Sequence, residues 1–317
     1  MSHEIEVVNG IAQHVYAGDV PWHGLGTQVS PDLSPFEMQQ AAGLDWKVEK
    51  KPMFIDVDGA NVDVGYNALV RSSDNSVLSH VSDTWNPVQN DTAFQFFNDF
   101  VTAGDMQMHT AGSLFNGKMV WALAKINDGF TVFGGDEIES YLLFSNPHQF
   151  GKSVQVQFTP IRVVCNNTLS FALDRATKQS AIRVDHRSEF NPAMVTEALG
   201  IASYKLDEYK QLAEFLGQRQ QTKDTMAKYF NDLFPSASKV EGKVSRNADI
   251  CMDLLDKQPG AEFAQGTMWS GFNAATYFVD HLAGRNDDSR ISSAFFGSGA
   301  QKKLEALHTA KEYAYAS

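Results

Sequence analysis

The chain is short of cysteine, of long apolar runs and of positive charge, and each shortage removes a class of function. Only two cysteines occur in 317 residues, Cys165 and Cys251, and neither belongs to a CxxC pair. A disulfide framework and a cysteine-ligated zinc site are therefore excluded, and reduced thiols are expected. No run of roughly 18 apolar residues occurs, so no membrane-spanning helix is written in the chain. The opening MSHEIEVVNGIAQ has acidic residues where a secretory signal has a basic and then an apolar segment, and a soluble, cytoplasmic protein without a membrane partner is expected. The nine histidines (His3, His14, His23, His80, His109, His148, His186, His281, His308) show no HxH or HExxH spacing, so no metal site and no cofactor is expected from them.

Lysine and arginine number 26 against 38 aspartates and glutamates, a net charge of −12. Such a balance argues against coating duplex DNA by charge alone, because that binding rests on neutralising phosphates. The distribution is uneven. Residues 1–110 hold 4 basic and 15 acidic side chains, whereas residues 150–190 hold 6 basic (Lys152, Arg162, Arg175, Lys178, Arg183, Arg187) and 3 acidic ones. An anionic partner would meet that middle segment.

What is present is a globular composition, 43% hydrophobic with 11% aromatics. Strand-period alternation runs through MFIDV, the DG turn at 58–59, VDVGYNALVR and VLSHVS, which predicts a three-strand meander over 53–82. NPVQNDTAFQFFNDFVTAG then predicts a helix ending at Gly104, with Phe94, Phe96, Phe97 and Phe100 as core. The NG at 116–117 predicts a hairpin between MQMHTAGSL and KMVWALAKI, and YLLFS and SVQVQFT read as strands flanking the loop NPHQFGK. In TPIRVVCNNTLSFAL (159–173), Thr159 suits a helix N-cap and Pro160 the first turn. The predicted helix places Ile161, Val164, Cys165, Leu169 and Leu173 on a buried stripe, with Arg162, Asn166 and Asn167 on the opposite, polar face. Beyond residue 190 helical periodicity takes over, with HRSEFNP (186–192) as the hinge. The expected fold is α+β: a βββα-like lobe with antiparallel strands over 1–185 and a mainly α-helical lobe over 186–317.

Two motifs suggest chemistry. FGGDEIESYL (133–142) holds the GGDE of cyclic-dinucleotide synthases, whose acidic residues, here Asp136 and Glu137, would serve metal and substrate. No earlier strand offers the second aspartate, and a glycine turn entering a strand is the simpler reading. Cys165 could be a nucleophile only if exposed beside His148 or His186, which its apolar stripe opposes. PWHGLGTQV (21–29) lacks the strand-to-helix context of a phosphate loop and reads as an ordered surface turn.

The stretches WHGLG (22–26), AAGLDWKVEKKPM (41–53), ALVRSSDNSVLSHVSDTWNPVQN (68–90), TAGSLFNGKMVWALAKI (110–126), YLLFSNPHQFGKSVQVQFTPIRVVCNNTL (141–169) and GTMWSGFNAATYFVDHL (266–282) resemble a family of uncharacterised phage- and plasmid-borne proteins from laterally transferred regions. The resemblance implies a mobile-element origin; it carries no established activity and no catalytic residues. By layout alone, the βββα core with an adjoining basic segment also looks like phage single-strand annealing proteins. The leading expectation is a non-enzymatic accessory protein, able to form a homo-oligomer, that binds single-stranded DNA. Lys152, Arg162, Asn166, Asn167, Arg175, Lys178, Arg183 and Arg187 would contact the backbone. Its alternatives are a protein that docks on a host protein through its acidic N-terminal third, and a nucleotide-processing enzyme using Asp136 and Glu137.

Overall fold

The structure, a computed structural model, describes residues 5–18, 25–103, 106–152, 154–164, 167–168, 181–184, 193–236, 244–284 and 290–316. The order is β1 (Val7–Val8), β2 (Ile11–Ala12), β3 (His14–Ala17), β4 (Thr27–Val29), α1 (Pro35–Ala41), β5 (Val48–Val57), β6 (Ala60–Arg71), β7 (Val77–Val81) and α2 (Asn90–Ala103). Next come β8 (Met106–Leu114), β9 (Met119–Val132), β10 (Asp136–Pro147), β11 (Val154–Arg162), β12 (Asn167–Thr168) and β13 (Ala181–Val184). Helices follow: α3 (Ala193–Gly217), α4 (Lys223–Leu233), α5 (Arg246–Leu254), α6 (Met268–Tyr277) with a π-helical turn over Phe278–Leu282, α7 (Arg290–Phe296) and α8 (Ser298–Tyr315). This is the expected α+β fold. One sheet is ordered β12-β11-β10-β9-β8-β3-β4, with β13 also on β11, and a second is the meander β5-β6-β7.

The chain forms two compact units, Met1–Asn127 with Tyr141–Phe158 and Ala172–Ile201, and Asp128–Ser140 with Thr159–Phe171 and Ala202–Ser317. In the first, the predicted turns close their hairpins by the expected chemistry. Asp58 and Gly59 both take positive φ (52° and 86°), as do Phe115, Asn116 and Gly117 (57°, 57° and 83°), which matches the twist of the flanking strands. Helix α1 starts at a capping box, with Ser34 and Glu37 satisfying each other's backbone N–H. Arg71 closes β6 beneath the surface: it pairs with buried Glu6, grips Asp74 (2.5 Å) and lies over the Trp46 ring. The Asp74 carboxyl is held well below the usual range by its hydrogen bond to Arg71.

The second unit packs Trp269, Phe272, Tyr229 and Phe230 at its centre. Tyr229 donates its hydroxyl to the carbonyl of Ala306 (3.0 Å), so its polar end is satisfied in the core. Lys303 is fully buried and donates to Asp280 Oδ1 (2.6 Å) and Thr168 Oγ1 (2.5 Å), while Asp280 Oδ2 accepts from the Thr168 N–H (2.8 Å). The three groups close on one another and tie β12 to the π-helical turn and α8. Cys251 is buried, and burial pushes its thiol up to about 12, which leaves it an inert packing group.

One expectation is overturned. No helix starts at Thr159. β11 runs straight through Pro160 to Arg162, and Ile161 and Arg162 pair with Thr168 and Asn167 of β12. On that side, among the described residues, β13 covers only Val154–Gln157 and β12 only Ile161–Arg162, so Pro160 falls opposite no described strand residue that needs its missing N–H. Cys165, and the hinge expected at 186–192, lie outside the described residues.

Packing in the first unit is close around His14. Its imidazole is buried against Trp121 (5.6 Å between centroids) and Tyr16. A side chain at Gly26, which adopts φ 105°, would stand 2.4 Å from His14 Nδ1, and this explains the last glycine of WHGLG. Burial pushes the His14 pKa down to about 4, partly opposed by a hydrogen bond with the Leu25 backbone. Between that value and 6.5 the unfolded chain takes up a proton that the folded chain refuses, so stability falls as pH drops through this window. Urea unfolding should lose about 2 kcal/mol from this group between about pH 7.5 and pH 5. A His14→Gln variant should lose that portion of the pH dependence.

Candidate nucleic-acid interface

Strand pairing decides which side chains share the outer face of the β5–β7 meander. Ala68 of β6 lies opposite His80 of β7 and Lys51 of β5, so Lys51, Ala68 and His80 point the same way. Tyr66, two residues back along β6 from Ala68, reaches the same His80 ring edge-on (6.2 Å, 76°). Leu69 and Val81, fully buried, fill the opposite face and fix which side meets water.

The loop between β10 and β11 completes this face. Asn146 is buried and donates its amide to the carbonyl of Val88 (2.7 Å). His148, also buried, hydrogen-bonds through Nε2 to Asn90 Oδ1 (3.0 Å), takes the Lys118 carbonyl with its backbone N–H (2.8 Å) and stands edge-on to Trp46. Asn90 in turn donates to the Leu44 carbonyl. With the residues before it pinned, Phe150 turns outward, its N–H on Ser79 Oγ (3.2 Å) and its ring nearly parallel to His80 (11°, 6.4 Å between centroids). Gly151 takes the positive φ (75°) that returns the chain, and Lys152 follows on the surface.

The result is a row of three exposed rings, Tyr66 (50% exposed), His80 and Phe150 (59% exposed), flanked by exposed Lys51 and Lys152. Tyr66 and Phe150 each leave half or more of their surface to water, area open to a planar ligand. Lys51 pairs with Glu49 at 3.2 Å, both about half exposed, an ion pair weak enough to yield to a phosphate.

The residues singled out in the sequence fare differently. Lys152 is exposed, two residues after Phe150. Arg162 does not reach solvent: it is buried, donating Nε to Asp136 Oδ1 (2.6 Å) and its terminal nitrogens to the carbonyls of Pro259 (3.1 Å) and Gly260 (2.8 Å). The polar helical face expected to present it is absent because this stretch is a strand. Asn167 lies on β12 opposite Arg162, and Arg183 on β13 opposite Gln155. Asn166, Arg175, Lys178 and Arg187 lie outside the described residues. Asp136 opens β10 after the Gly134–Gly135 turn, and its second oxygen accepts from Trp269 Nε1 (2.8 Å). Both its oxygens thus serve the core, while Glu137 is exposed. Sequence reading missed Tyr66, His80 and Phe150; the one local signal was a phenylalanine in the otherwise polar, glycine-ended loop NPHQFGK.

Fold and face together describe an α+β protein with a solvent-facing aromatic row on a small antiparallel sheet. Residues 77–296 match the family model described as Domain of unknown function (DUF932), and the chain belongs to that family. No curated protein and no solved structure matches the chain. His80, Phe150 and Lys152 fall within the matched segment, and Tyr66 precedes it.

Because Arg162 holds Asp136 in the core, Arg162→Ala should leave a buried carboxylate unpaired and lower the unfolding free energy by about 3 to 5 kcal/mol. A thermal melt that barely moves would contradict this role.

Proposed function

We propose that the chain is a non-enzymatic accessory protein of a phage or plasmid that binds single-stranded nucleic acid on the outer face of the β5–β7 meander. The observation that carries this reading is the row Tyr66–His80–Phe150, three exposed rings with lysines on either side. Unpaired bases offer flat faces to such rings regardless of sequence, whereas the paired bases of a duplex are already stacked and out of reach. Lys51 and Lys152 supply the phosphate contacts, and the acidic remainder of the protein keeps long-range charge attraction low. Binding should therefore depend more on stacking, and less on salt, than in a strongly basic protein.

The test is retention of a labelled single-stranded 40-mer across a salt series, a length of about 40 nucleotides exceeding the known site sizes. Phe150→Ala and Tyr66→Ala should each weaken binding by about 1 to 3 kcal/mol, roughly 5- to 150-fold, with the salt slope retained. Lys152→Ala should reduce the slope by about 0.7. Absence of binding by the wild-type protein at low salt, or full affinity in the Tyr66→Ala/Phe150→Ala double variant, overturns the reading.

A further inference from the structure

Beyond the aromatic row, the distal half of the β5–β6 hairpin stands out as a ribbon with water on both faces. Phe54 (54% exposed), Ile55 (52%), Val57 (46%) and Val62 (44%) all lie on it, an apolar concentration unusual for a surface that stays solvated. β7 pairs with β6 only from Asn67 to Val70, so residues 52–66 form a two-stranded arm. An isolated ribbon of that kind is marginal in water.

β5 ends its sheet, pairing with β6 alone among the described residues. The state of its outer edge can be read from Val48, whose N–H and C=O both bond the side-chain amide of Gln89 (3.0 and 2.9 Å). Val48 therefore directs its backbone outward, and by alternation so do Lys50, Pro52, Phe54 and Asp56. The register shift between Pro52 and Phe54 places the extra residues on β6, opposite Met53, so the alternation of β5 itself is unbroken. From Lys50 to Asp56 this outward row meets no other strand among the described residues.

We propose that β5 is a self-association edge, on which two copies of the chain pair their β5 strands antiparallel about a twofold axis with Phe54 opposite its counterpart. A twofold axis relating antiparallel strands stands perpendicular to the sheet and keeps each face on its own side, so opposed residues must share parity. Centring on Phe54 sets Met53 opposite Ile55, Pro52 opposite Asp56 and Lys50 opposite Asp58. Charge favours this direction: Lys50 and Lys51, with Glu49 beside them, lie near the start of β5 and Asp56 near its end, with Asp58 in the turn. Antiparallel self-pairing brings the cationic end of each copy to the anionic end of the other, whereas parallel pairing would set like charges side by side. Lys50 Nζ already donates to the carbonyls of Asp83 and Trp85, which leaves one proton for the second copy's Asp58. Pro52 withholds one backbone donor from each strand, and the twofold arrangement closes, so a dimer forms and not a growing sheet. The interface is small against the ~800 Å² per partner of a standard one, which points to a dissociation constant on the order of micromolar or weaker. Only one consequence rests on the proposed function: because faces are preserved, both aromatic rows come to lie on the same side of a continuous six-stranded sheet, fit for one strand to cross or for two to meet.

Sedimentation velocity of the full chain from about 1 to 200 μM should show a monomer–dimer equilibrium, abolished by Phe54→Lys. Residues facing each other in a hydrogen-bonded antiparallel pair have Cα atoms about 5.5 Å apart, within disulfide reach. Phe54→Cys should thus form a covalent dimer on mild oxidation, while Ile55→Cys and Val57→Cys, which face other residues, should form no more than the wild-type protein. A wild-type monomer at every concentration, a dimer surviving Phe54→Lys, or equal cross-linking at positions 54, 55 and 57 overturns the proposal. A monomer that still binds the single strand sinks only the self-association, and a dimer that binds none sinks only the nucleic-acid reading.

Discussion

A phenylalanine stays out in water at position 150 because the residues before it are locked inside. The hydrogen bond between His148 and Asn90, with Asn146 on the Val88 carbonyl, holds the β10–β11 loop from beneath. Breaking either would leave a polar group buried without its partner, at a cost of about 1 to 3 kcal/mol. The loop therefore has little freedom to fold Phe150 back over the sheet. In the complex proposed above, a ring ordered before its ligand arrives would give up little entropy on binding, leaving most of the stacking energy to the complex.

Buried charge in the second unit serves a different end. Arg162 and Lys303 are each enclosed with an aspartate and further hydrogen-bond partners. Burial draws the Lys303 pKa down and the Asp280 carboxylate draws it back up. Such pairs add little net stability over apolar packing, yet they punish any arrangement that separates them. Here they fix the end of β11 and the short β12, which have few neighbours to define them. Arg162, counted from sequence alone, looks like part of a site for anions.

The turns were legible because their chemistry is local: Asp58–Gly59 and Asn116–Gly117 take positive φ at little steric cost, as these turns require. The helical C-terminal part was legible from its periodicity, as was the meander. The stretch after Thr159 misled because Thr-Pro is a good helix start and IRVVC carries apolar residues at spacings that suit helix and strand alike. A tertiary fact decided it, the pull of Asp136 on Arg162 across the sheet. The aromatic row was illegible for a related reason. Tyr66, His80 and Phe150 sit on three separate elements, and each alone looks like a candidate for the core. Only strand register and the buried anchors of the loop bring them together on the wet side.

The central claim is that the Phe150 ring lies flat against an unpaired base. Phe150→Trp places a fluorophore there while keeping an aromatic face, and stacking on a base quenches indole emission. Titration with a single-stranded homopolymer should quench the additional emission of this variant over that of the wild-type protein, saturating with the binding isotherm, while a duplex of the same length leaves it unchanged. Emission at position 150 that stays constant while the strand binds, or that responds equally to duplex, would contradict the account.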